Sequence, residues 1–175
     1  IVGVIRPGAL AAVRQTRTKR VGVIGTNATI HSRAYETAIH RIDPTVKVFS
    51  QSCPLFVPLV EEGWLNGSIC REVAGTYLAG LKRRRIDTLI LGCTHYPLLA
   101  TTIQAVLGSG TALVDSAREM VADVRGLLLG ADLLCGERAR PRHRFFVTDE
   151  PAHFSELGHR FLGRVIGSVE RVNGR

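Results

Sequence analysis

"TLILGCTHYP", residues Thr88–Pro97, sets the unbroken apolar run Leu89-Ile90-Leu91 directly against Gly92, Cys93, Thr94 and His95. A short apolar run without polar alternation is the pattern of a strand covered on both faces, as in a parallel sheet between helical layers. The change to Gly, Cys, Thr and His then falls at the strand's carboxyl end. In open α/β sheets ligands are held at such ends, because the loops there lead into helix N-termini.

The alternation continues outward from this stretch. "RVGVIGT" (20–26), "VKVFSQS" (46–52) and "TALVDS" (111–116) read as further strands, and "ATIHSRAYETAIHRI" (28–42) is long enough for one helix. Pro54 and Pro58 restrict 53–63 to short helical turns. From Ser68 to Arg85 the positions Ile69, Val73, Tyr77 and Leu81 predict the apolar stripe of a surface helix. Pro97 suits the first turn of a helix carrying Leu99, Ile103 and Val106. Ser116 with Glu119 forms a capping box for the next helix. The opening "IVGVI" reads as the late part of a strand. After a Gly-, Arg- and Pro-rich stretch at 130–142, a candidate boundary, come the strand "RFFVTD" (144–149), a helix over Pro151–Leu162 and a strand-like "RVIGSVERV" (164–172). The expected fold is α/β, an open and mostly parallel sheet with helices on both faces.

Bulk properties bound the function. The 175 residues, 45% of them hydrophobic, suffice for one ordinary domain or a small domain plus part of another. No apolar stretch has membrane-spanning length, which argues against a membrane partner and for a cytoplasmic location. Cys53, Cys70, Cys93 and Cys135 are irregularly spaced with no Cys-x-x-Cys pair, so they read as free thiols, and no metal site is expected. The net charge of +8 gathers in Lys82–Arg85 and in Arg138, Arg140, Arg142 and Arg144. The first run closes a helix, and neither run interleaves aromatics for base stacking. A solvated basic face is therefore favoured over nucleic-acid binding.

"GTNAT" (25–29) and "GCTHYP" (92–97) both sit at strand ends and face one crevice if their strands are neighbours. Thr26, Thr29 and Thr94 would then offer hydroxyls, and the helix-start amides would attract a carboxylate. Cys93 stands before a positive helix end, a setting that lowers a thiol pKa, and His95 can exchange protons with it. The competing reading is packing alone, with Thr26 and Thr29 acting as helix caps.

"LGCTHYPLL" (91–99), together with "VGVIGTNATIHS" (21–32), "SCPLFVPLVEEG" (52–63), "DSA" (115–117) and "FVTDEPAHF" (146–154), closely resembles the bacterial glutamate racemases. The resemblance implies a cofactor-independent isomerase that interconverts L- and D-glutamate for peptidoglycan biosynthesis and works with two cysteines on opposite faces of the substrate. By that resemblance Cys93 is the second catalytic cysteine, and Thr94 and His95 contact substrate, His95 also assisting the thiol. Thr26 and Thr29 lie near the substrate carboxylate, Glu61 is the acid beside the histidine, and Cys53 is structural. Glutamate is the implied partner, and a homo-oligomer is compatible with the family.

Two family strings do not occur here: the opening Asp-Ser-Gly-x-Gly-Gly, and the Cys-Asn followed by Thr or Ser that carries the first catalytic thiol. The resemblance therefore implies one complete lobe over 21–116, with 1–20 as the end of an N-terminal lobe and linker helix. Residues 117–175 would return into that incomplete lobe. Such a chain is expected to be inactive alone. It would leave Phe145, Phe146, Val147, Phe154, Phe161 and Leu162 poorly covered, which predicts low solubility or pairing with another chain. A racemase for aspartate or another amino acid, a basic nucleic-acid-binding or regulatory module, and a nonfunctional remnant are the alternatives.

Overall fold

Strand β3 (Thr88–Leu91) is buried along its whole length, and its side chains divide between two helical layers. It lies inside a parallel sheet with β1 (Arg20–Gly25), β2 (Lys47–Ser52) and β4 (Ala112–Asp115), in the order β2-β1-β3-β4. The computed structural model describes residues 1–136, 142–164 and 166–173. These divide into two units, Ile1–Leu134 and Cys135–Arg175.

In the first unit, Ile24, Leu89 and Leu91 face α4 (Phe56–Glu61), α5 (Ser68–Arg83) and α6 (Ala100–Leu107). Val21, Val23, Ile90 and Val114 face the other way, toward α1 (Ile5–Gln15) and α3 (Ala34–Ile42). Each sheet face thus acquires its own core from the period-two alternation of the strands. Helix α7 (Ser116–Gly130) packs on α1, but Ser116 is its one buried residue. In the second unit, β5 (Phe145–Val147) and β6 (Val169–Arg171) pair in parallel around α8 (Pro151–Leu162). Ile166 is buried, whereas Phe146, Phe154, Phe161 and Leu162 remain exposed. Of the second basic run, Arg138 and Arg140 lie outside the described residues, and Arg144 pairs with Glu170 at 3.1 Å.

Several local expectations are corrected. Ile1–Val4 form no strand, and helix α1 begins at Ile5, where Ala9 and Ala12 pack against the sheet. The helix expected over 28–42 is two, α2 (Asn27–His31) and α3, because Arg33 takes a left-handed conformation at φ 51°. The buried face of α5 is Cys70, Ala74, Leu78 and Leu81, while Ile69 is 53% exposed. A strict four-residue spacing drifts around a 3.6-residue helix; the 4-4-3 spacing keeps to one side. Helix α7 is capped by Asp115, whose carboxylate accepts from the Ala117 and Arg118 amides, and not by Ser116.

The lower rim of the sheet is tied by Asp87, just before β3. Its carboxylate accepts from the Thr16 hydroxyl at 2.6 Å and from the Arg17 and Thr18 amides at 2.7 and 2.6 Å, fastening the end of α1. Partial burial opposes ionisation, but these donors outweigh it and hold the carboxyl at about 2. A depressed carboxyl pKa stabilises the fold at pH values above the ordinary carboxylate range, and that stabilisation is lost as pH falls toward 2. Asp87→Ala should cost about 1–3 kcal/mol in urea unfolding at pH 7. The difference from the parent should shrink as pH falls from about 4 through about 2; a gap that stays constant across that range would show that the ionised carboxylate is not its source.

Candidate active site

The turn after β3 is built on a close approach of two strands. The Gly92 amide donates to the Ile24 carbonyl at 2.8 Å, and a Cβ on Gly92 would stand 2.6 Å from that same oxygen. Only glycine allows β3 to end this close to β1, so the loops following the two neighbouring strands emerge side by side. Tyr96 anchors the far side of the turn. Its hydroxyl donates to the Cys53 carbonyl at 2.8 Å, and its ring meets Phe56 edge-on at 5.2 Å. Phe56 opens α4, and Glu61 closes it.

Between these anchors stand Cys93, His95 and Glu61. His95 Nδ1 lies 3.9 Å from Cys93 Sγ and 3.4 Å from Thr94 Oγ1, and Nε2 lies 3.1 Å from Glu61 Oε1. An ionised Glu61 only accepts, so it places the imidazole proton on Nε2 and leaves Nδ1 to receive a proton from the thiol. The line thiol–imidazole–carboxylate can draw a proton from sulfur and return it. Cys93 and Thr94 also line a cavity of about 90 Å³, with Tyr35, Gly92, Asp115 and Ser116 among its other walls.

The Cys93 pKa runs against the sequence expectation. Burial pushes it above the ordinary thiol value, and Glu61 adds to the rise. The His95 and Tyr96 amides and the Thr94 hydroxyl pull in the other direction without overcoming desolvation. The helix-start amides are therefore present as expected, but the half-buried sulfur stays a thiol in the resting site.

Thr26 caps α2, its Oγ1 accepting from the Thr29 amide at 3.3 Å and lying 3.1 Å from the Thr29 hydroxyl. Neither threonine lines the Cys93 cavity. Thr29 does approach the Cys93 turn, since a Cβ on Gly92 would lie 3.5 Å from its methyl group. All four cysteines are free, Cys53 and Cys70 buried and Cys135 exposed. Tyr35, Asp115 and Ser116 were not legible as cavity walls. Asp115 and Ser116 read as strand end and cap, and nothing in the periodicity near Tyr35 points toward Cys93. Among the described residues, no group of three or more His, Cys, Asp or Glu side chains is placed to hold a metal ion.

The Asp/Glu/Hydantoin racemase family profile matches residues 1–124. The chain belongs to that family. Among the racemase-family relatives, a glutamate racemase of Geobacter metallireducens is 50% identical over 173 residues, covering 99% of this chain and 64% of the relative. One from Syntrophus aciditrophicus is 51% identical over 172 residues, covering 98% and 64%. A crystal structure of a glutamate racemase isoform from Bacillus anthracis superposes with a TM-score of 0.91 at 39% identity, over 98% of this chain and 64% of that one. A Francisella tularensis glutamate racemase in complex with D-glutamate gives a TM-score of 0.89 at 37% identity, over 98% and 63%. The chain thus spans just under two thirds of these relatives.

Cys135, Cys93 and Cys53 should separate on alkylation. Cys135 should react first at neutral pH, while Cys93 should lag and accelerate only as pH rises past the ordinary thiol range. Cys53, held up at about 12 by burial, should react only on unfolding. Mass-spectrometric mapping after iodoacetamide checks the order, and a Cys93 that outpaced Cys135 at pH 7 would contradict the half-buried thiol.

Proposed function

We propose that this chain supplies one catalytic half of a glutamate racemase, with Cys93 as the thiol serving one face of the substrate's α-carbon. The observation that carries the reading is the Cys93–His95–Glu61 line, whose thiol end lines a small cavity on the turn where the family resemblance is densest. Support comes from the identity to glutamate racemases and from the likeness to one solved with D-glutamate.

In the proposed reaction the Cys93 thiolate takes the α-hydrogen as a proton, giving a neutral thiol and a carbanion. A second thiol gives its proton to the opposite face and becomes a thiolate, so charge and protons balance. His95, oriented by Glu61, accepts the Cys93 proton when the sulfur must start as thiolate and returns it in the other direction. Thr94 beside His95 and the Thr26–Thr29 loop are the proposed contacts for the substrate's polar groups. No cofactor is required. The opposite-face donor does not come from Cys53 or Cys70, which are buried in the core. We assign it to the part of the racemase that these residues do not span, and we read 21–116 as the complete lobe. The product would enter peptidoglycan synthesis in the cytoplasm.

In a protein completed with a relative's N-terminal portion, Cys93→Ala should lower L-to-D interconversion by about 100-fold or more. The 175-residue chain alone should not interconvert the enantiomers. Polarimetry or chiral chromatography reads both. Parental racemisation by a Cys93→Ser variant would refute the assignment.

A further inference from the structure

The Cys93 cavity has a wall that the proposed proton chemistry does not use. Tyr35, on α3, is 3% exposed, and its hydroxyl donates to Ser116 Oγ at 2.8 Å across a sequence separation of 81 residues. Its ring is wedged between two glycines. A Cβ on Gly8, in α1, would stand 3.3 Å from Tyr35 Cε1 and 2.4 Å from Ser116 Oγ; a Cβ on Gly92 would stand 3.0 Å from Tyr35 Cε2. One edge of the ring therefore meets α1, the other meets the residue before Cys93, and the hydroxyl reaches the first turn of α7. Burial pushes the phenol pKa up, so the group remains a donor.

We infer that Tyr35 is a positioning residue for Cys93: its hydrogen bond to Ser116 fixes the ring against Gly92 and so sets where the sulfur sits in the cavity. The glycines are part of the same device, because a side chain at either one would displace the ring or the serine. A buried hydrogen bond between elements distant in sequence holds one geometry, since breaking it leaves a polar group unpaired. Through this contact α1 and α7 are mechanically joined to the Cys93 turn. The inference rests on the reading of Cys93 as an acid–base thiol only for its functional meaning; the positioning itself is tested without catalysis.

The chain carries its own reporters for that test. Cys135 is an exposed reference, and Cys53 and Cys70 report opening of the core. Iodoacetamide labelling across pH 7–10 should be followed at all four thiols in the parent, Tyr35→Phe, Ser116→Ala and the double variant. The expected result is a Cys93-to-Cys135 rate ratio raised about threefold or more in each single variant, with Cys53 and Cys70 still protected. The double variant should show no larger change than either single one, because all three lose the same bond. An unchanged Cys93 ratio, additive effects, or core thiols that open together with Cys93 would overturn the inference, the last by showing a purely structural role. Racemisation by the completed protein is scored separately, so a failed function with a positive labelling result, or the reverse, identifies which reading is at fault.

Discussion

The architecture depends on the contact between the Gly92 amide and the Ile24 carbonyl. It ends β3 against β1 at a separation that excludes any side chain at position 92, and every later feature of the site follows from that approach. The thiol-bearing turn leaves the sheet beside the Thr26 loop. Tyr96 is brought over the Cys53 carbonyl, and α4 is placed so that its last residue reaches His95. A parallel sheet makes this possible because each strand's carboxyl end opens on the same rim.

Electrostatically, the site is a contest between desolvation and local donors. Amides at the start of the Tyr96–Leu99 turn and the Thr94 hydroxyl favour the thiolate, while half-burial and the Glu61 carboxylate favour the thiol. Burial wins in the resting state. Under the proposed chemistry, a sulfur held as thiol beside an imidazole suits a group that both gives and takes a proton, since a permanent thiolate could only accept. Glu61 has two effects: it orients the imidazole, and it discourages the thiolate directly.

Much of this was legible in the sequence. The continuous run Leu89–Leu91 announces a doubly covered strand, and the parallel sheet with helices on both faces follows. The polar residues after it mark the candidate site, and Glu61, named through the family resemblance, stands 3.1 Å from His95. What was not legible depends on side chains meeting across long separations. The α5 face is decided by which side meets β1 and β3, so Cys70 and Ala74 turn inward while Ile69 stays wet. Arg33 breaks a helix that periodicity would continue. The Cys93 shift needs a degree of burial that residue order does not contain, and Tyr35 reaches Ser116 only because α3 and α7 converge near the same turn.

The most direct test of the account is the carbon NMR titration of Cys93 Cβ in protein labelled at cysteine, comparing the parent with His95→Ala. The account predicts a Cys93 resonance that titrates above the ordinary thiol range in the parent. It should move to lower pH when the imidazole that accepts the thiol proton is removed. A Cys93 resonance that titrates in the ordinary thiol range and ignores the loss of His95 would contradict it.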